Sequence, residues 1–140
     1  TQKLEEIITE GDTEMIITYT VTELSDDELL AHLNQKKEEV RLKLKSNRDN
    51  EVSSNIDGFQ VSSQTDLDNL TAAIGNWDLL GSDSVEWILA DNTTKVCSLV
   101  DLQNVYVSYI TRKKDSFNKY ITLLKELSST DNPDSIIWEA

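Results

Sequence analysis

One histidine, one cysteine and a surplus of carboxylates are the residues of this chain with chemistry to offer. His32 is the sole histidine among 140 residues, so a His-based metal cluster or a Ser-His-Asp triad finds one member at most within a chain. It falls in a stretch dense in charge, which gives it an exposed or helix-packing role. Cys97 sits where a strand is expected and reads as a small buried hydrophobe. A pairing of Cys97 with His32 has no local support. Asp66 with Asp68, and Asp131 with Asp134, could lend oxygens to calcium, yet neither pair follows a calcium-binding loop. Gly11, Gly58, Gly75 and Gly81 are scattered, so no glycine-rich loop can cradle a phosphate. Carboxylates abound, but no two are singled out for acid–base work. No catalytic, cofactor-binding or metal residue is expected, and an enzyme is the least favoured class.

The charge balance narrows the partners instead. Lys and Arg number 13 against 26 Asp and Glu, a net charge of −13. A nucleic-acid binder needs a basic face, and so does a protein held on an anionic membrane, so both partners are disfavoured. A basic protein partner would be attracted. No apolar run approaches the roughly 18 residues of a membrane span, and no secretory signal is visible in the sequence as given. Thr1 in first place fits a cytoplasmic product whose initiator Met was removed, and fits an internal boundary equally. With one cysteine there is no internal disulfide, which makes the cytoplasm the expected site of synthesis.

The elements that would present a surface follow from periodicity. Met15, Ile17, Tyr19 and Val21 alternate with Ile16, Thr18, Thr20 and Thr22, a period of two rich in β-branched residues. Glu10-Gly11-Asp12-Thr13 is a plausible turn back to a partner strand over Leu4–Thr9. A lone hairpin is marginal in water, so this one packs on its own chain or on another protein. Ser25 with Glu28 forms a capping box, Leu24 and Leu29 stand as a hydrophobic staple, and a charged helix is expected to about Ser46. Its thin stripe, Leu29, Leu30, Leu33, Val40 and Leu44, suits an arm or a solvated connector, with Glu38–Arg41 and Glu39–Lys43 as surface pairs.

Residues 47–55 read as a polar loop, and Asn55-Ile56-Asp57-Gly58 as a turn into a short strand, Phe59-Gln60-Val61. Thr65 begins a short helix with Leu67, Leu70, Ile74 and Trp77 on one face, closed by Gly75 and Gly81. Val85–Ala90 and Thr93–Ser98 flank Asp91-Asn92, a two-residue hairpin signal that sets Trp87 opposite Val96 and Glu86 opposite Cys97. Ser98 and Asp101 make a capping box for a helix of roughly 30 residues, about 45 Å long and longer than so small a domain needs. Leu102, Tyr106, Tyr109, Phe117, Tyr120, Leu124 and Leu127 form its stripe, interrupted by Lys113 and widened by Val105, Val107, Ile110, Ile121 and Leu123. Pro133 bars any continuation.

The expected fold class is α+β: a small antiparallel sheet packed with helices, a long C-terminal amphipathic helix, and an N-terminal hairpin followed by a charged helix. Residues 1–50 read as hairpin and helical arm, 51–130 as the small domain, and 131–140 as a docking tail. Phe59, Leu70, Ile74, Trp77, Trp87, Val96, Leu102 and Tyr106 are its expected core. Ile136, Ile137 and Trp138, with Met15, Ile17 and Tyr19, are the candidate partner-binding residues, the alternative for the tail being to pack on its own domain.

The stretch from about Asn55 to Leu127 resembles a domain family of unknown function found in proteins encoded among tailed-bacteriophage tail and tail-fibre genes. The resemblance is carried by Gly58-Phe59-Gln60-Val61, Gln64 through Leu70-Thr71-Ala72-Ala73-Ile74, Val85-Glu86-Trp87, Ala90-Asp91-Asn92-Thr93 and the strand into the long helix. It implies a virion-tail setting and a non-enzymatic role, with other tail or tail-fibre proteins and further copies of the chain as partners. A structural tail subunit is the first expectation. A soluble tail-fibre assembly chaperone is the second, and a host-directed regulatory binder the third.

Overall fold

Ser98 and Asp101 behave as their spacing predicts: Asp101 N donates to Ser98 Oγ at 3.2 Å, and Ser98 N to Asp101 Oδ2 at 2.9 Å. The helix they open sets the architecture. In the computed structural model the backbone is described for residues 2–10 and 15–23, and all atoms for residues 25–140. In order come β1 (Gln2–Glu10), β2 (Met15–Glu23), α1 (Asp26–Ser53), α2 (Gln64–Gly75), a 3-10 turn (Trp77–Leu80), β3 (Val85–Ile88), β4 (Thr94–Cys97), α3 (Leu99–Ser129) and a second 3-10 turn (Pro133–Ser135). The fold is α+β, with two separate two-stranded antiparallel sheets and a long C-terminal helix.

β1 and β2 pair antiparallel from Gln2↔Glu23 to Glu10↔Met15. The expected turn at Gly11–Thr13 and the staple residue Leu24 lie outside the described residues. So do the side chains of Met15, Ile17 and Tyr19.

Helix α1 begins where Ser25 Oγ accepts from Glu28 N, but it does not stop at Ser46. It runs through residues 47–53, which the sequence marks as loop, because that polar segment is held along α3. The antiparallel pair is pinned near both ends: Lys37 Nζ donates to Ser128 O at 3.0 Å, and Arg112 Nη2 to Val52 O at 2.7 Å. The boundary expected at residue 50 therefore falls inside a continuous helix. Glu38 pairs with Arg41 as expected, whereas Glu39 is taken by Lys36 at 3.7 Å rather than by Lys43.

Asp57 and Gly58 both have positive φ, and Ile56 and Phe59 exchange backbone hydrogen bonds across them. That is a two-residue type I′ turn. The strand expected after it is reduced to this single bridge, although Phe59 and Val61 are both buried, as period two requires. The cap of α2 lies two residues before the expected Thr65: Ser63 and Asp66 form the box. Trp77 stands on the 3-10 turn that follows α2, not on α2 itself.

The β3–β4 register departs by one residue from expectation. Trp87 faces Lys95, Glu86 faces Val96 and Val85 faces Cys97. The cause is Asn92, whose φ of 65° makes a three-residue connection, a type I turn closed by a left-handed residue. Asp91 Oδ1 fixes that turn by accepting from Thr93 N and Oγ1 at 3.0 and 2.6 Å, which holds its carboxyl below the usual range. A one-residue slip exchanges the faces of a strand. Val96 is accordingly 63% exposed and is no core residue, while Cys97 is fully buried in its place.

The core divides into two clusters along α3. Its N-terminal half packs Leu102, Val105 and Tyr109 with Phe59, Val61, Leu70 and Cys97, and half-buried Ile74, Trp77, Trp87 and Tyr106 border them. Trp87 lies over Phe59 with ring centroids 6.4 Å apart. The C-terminal half packs Tyr120 and Leu127 on Val40 and Leu44 of α1. Among the described residues no helix is long and apolar enough to cross a membrane.

Candidate interaction surface

α1 and α3 each lack a basic residue in the last turn, so the orphan carbonyls and partial negative charge of each C-terminus must be answered from elsewhere. Each helix answers the other. Lys37 of α1 reaches the end of α3, and Arg112 of α3 reaches Val52 O and Ser54 O at the end of α1. Arg112 is partly buried for the purpose. Burial lowers its pKa, against the opposing pull of Glu51 and Tyr109, and its Nε is buried without a partner.

Beside Arg112 lies a polar node around Glu51. Ser116 Oγ, fully buried, donates to Glu51 Oε1 at 2.9 Å; Lys119 Nζ lies 3.2 Å from Oε2; Trp138 Nε1 donates to Oε2 at 2.7 Å. Burial pushes this carboxyl up, but the hydrogen bonds from Trp138, Ser116 and Lys119 and the charge of Lys119 outweigh it, leaving the pKa lowered. Lys119 Nζ also lies 4.4 Å from the Trp138 ring centroid and donates to Glu139 O at 2.8 Å. Three segments distant in sequence are thus tied at one carboxylate.

The node reassigns two of the candidate partner-binding residues. Trp138 and Ile136 pack against the Val40–Leu44–Tyr120–Leu127 cluster, so the tail is a strap on its own domain and not a free docking segment. Ile137 alone of the three is exposed. Glu51, Arg112, Ser116 and Lys119 went unmarked in the sequence. The available signal was Arg112 and Ser116, polar residues at positions continuing the Val105–Tyr109 stripe at steps of three and four.

The chemistry-bearing residues stay apart. His32 is exposed on α1, and Cys97 is buried with its thiol pushed up by burial. Among the described residues no three His, Cys, Asp or Glu come together as a metal site. A cleft lined by Asp66, Glu86 and Trp87 brings two carboxylates near each other, but Asp66 is committed to the α2 cap.

What the structure does expose is apolar. Val100, Val107, Ile110, Phe117 and Ile121 of α3 are 37–59% exposed and lie on the side of the helix away from its core, with Phe117 at the edge under Arg48 of α1. Ile88 and Val96 stand on the outer face of the β3–β4 hairpin, and Leu79 projects from the first 3-10 turn. Contiguous apolar surface on one element is the usual mark of a contact site. The outer face of α3 is the longest such surface among the described residues.

No curated protein and no solved structure matches this chain. Residues 35–139, from the middle of α1 to the strap, match one protein family across both core clusters and the Glu51 node. The chain belongs to that family, described as a domain of unknown function (DUF4376).

Proposed function

We propose that the protein is a non-enzymatic structural subunit of a bacteriophage tail, an adaptor associated with the tail fibre or baseplate that acts through protein–protein contacts. The observation that supports this reading is the apolar outer face of α3, left over after the helix has satisfied its own core. The resemblance of residues 55–127 to a family encoded among tail genes supplies the setting. Net charge of −13 fits neither a nucleic-acid nor an anionic-membrane partner. The protein is made in the host cytoplasm and ends in the virion tail.

The same charge favours a second reading, a soluble acidic chaperone that covers fibre ends during assembly and then departs. Mass spectrometry of purified infectious particles separates the two. Peptides from residues 98–140 at a stoichiometric level are the expected result. Their absence from particles, with the protein abundant in the infected-cell lysate, would replace the subunit by the chaperone.

A further inference from the structure

The outer face of α3 has a spacing of its own. Val100, Gln103, Val107, Ile110, Lys114, Phe117, Ile121 and Leu124 succeed one another at alternating steps of three and four, the a and d positions of a heptad repeat. The elements packed on α3 leave this strip free from Val100 to Lys114 and at Ile121, touching only its edge, where Arg48 of α1 covers Phe117 and Leu124 borders the α1 cluster. α1 and the strap reach α3 through Arg112, Ser116, Lys119 and Tyr120, on the other side of the helix. We infer that this strip is the seam of an antiparallel two-helix coil between two copies of the chain.

Charge, orientation and area all point to a second copy as the occupant. Two chains of charge −13 repel unless they meet where acid is absent, and α3 carries five basic residues against three acidic ones. Beside the seam stand Asn104, Thr111 and Asn118, all uncharged, before Lys125 at its end. Such a flank gives a strongly charged partner little to pair with and lets an identical strip approach. On the opposite flank Arg48 stacks on Phe117 at 4.5 Å and is paired with Asp49. Lys114 sets the direction. Parallel helices would bury Lys114 against Lys114. Antiparallel helices set it against Ile110, with Val107 against Phe117 and Val100 against Leu124, about a two-fold axis near residue 112. From Val100 to Leu124 the seam runs about 36 Å, and two apposed faces of that length cover roughly 1,400 Å², the size of a stable interface.

The pairing is independent of the tail reading, since a monomer found in virions would overturn the pairing and leave that reading standing. The test uses the full chain at about 100 µM, well above the dissociation constants of ordinary specific interfaces. Analytical ultracentrifugation should give twice the chain mass of 15.9 kDa. Val107→Glu with Ile121→Glu should return the mass to one chain at unchanged helicity by circular dichroism, because both side chains are exposed in the monomer. Oxidising a mixture of Lys114→Cys and Ile110→Cys proteins should cross-link one variant to the other and neither to itself. A wild-type mass of one chain would mean that another protein covers the strip and would overturn the inference. A folded double-Glu variant that stays dimeric would overturn it too, as would Lys114→Cys cross-linking to itself.

Discussion

Trp138→Ala is the sharpest probe of how the C-terminal strap is held. The half-buried indole covers roughly 100 Å² against Val40, Leu44, Tyr120 and Leu127, worth about 2.5 kcal/mol at 25 cal/mol per Å². Its Nε1 hydrogen bond to the Glu51 carboxylate adds about 1.5–3 kcal/mol, and the Lys119 contact with its ring about 0.5–1 kcal/mol. Ile136 keeps its own packing on the same cluster, so only residues 138–140 are released, and against these gains stands the entropy regained, about 1 kcal/mol for each backbone unit freed. The net loss should be about 1.5–3.5 kcal/mol, read as a lower urea midpoint at unchanged slope. Trp138→Phe keeps most of the packing and drops the hydrogen bond, so it should lose about 1–2 kcal/mol. Its effect should nearly vanish in a Glu51→Gln background if the bond to the ionised carboxylate is what matters. A loss below about 1 kcal/mol for Trp138→Ala would show that the strap is not held by this node.

Other perturbations test other joints. Trp87→Ala removes the ring that covers Phe59 and should cost about 3 kcal/mol by thermal or urea unfolding, in the range for aromatic truncations. Because the Glu51 pKa is lowered in the folded state, its stabilisation is complete above the ordinary glutamate value and fades as pH falls through the folded one. Unfolding curves from about pH 5 to about pH 3 should therefore steepen in the wild type relative to Glu51→Gln. Asn92→Ala places an unsuited residue at a left-handed turn and should cost about 1 kcal/mol, whereas Asn92→Gly should be neutral or better. An equal effect of the two would remove the turn's φ as the cause of the β3–β4 register.

What could be read in the sequence was whatever is decided locally. The Ser25 and Ser98 caps, the Asp57-Gly58 turn and the burial of Phe59, Leu70 and Leu102 depend on residues within a few positions of one another. The extension of α1 past Ser46 did not show, because Asn47-Arg48-Asp49-Asn50 has little helical preference and is held by ring contacts and hydrogen bonds to a helix more than sixty residues away. The β3–β4 register also escaped. Asp91-Asn92 fits a two-residue or a three-residue connection, and the left-handed conformation of Asn92 settles it by one position, enough to turn Val96 out and Cys97 in. The Glu51 node was invisible for a related reason: its members come from three segments, and no single segment looks unusual.

The length of α3 gains a physical reason when its apolar residues are sorted by face. In the sequence Val105, Val107, Ile110 and Ile121 all widen one stripe. In the structure Val105 turns inward with Leu102 and Tyr109, while Val107, Ile110 and Ile121 turn outward with Val100 and Phe117. A helix serving only its own core wants a single apolar stripe opposite a charged face. Here the face opposite the core holds apolar residues at heptad spacing, with Gln103 and Lys114 among them and Asn104, Thr111 and Asn118 beside them. Two core clusters strung along one helix make it long, because each needs its own two or three turns. That length in turn gives the outer strip enough turns for a seam, which a helix of 12 residues such as α2 would lack. The same geometry that joins the hairpin cluster to the α1 cluster therefore builds the surface through which the protein can meet a copy of itself.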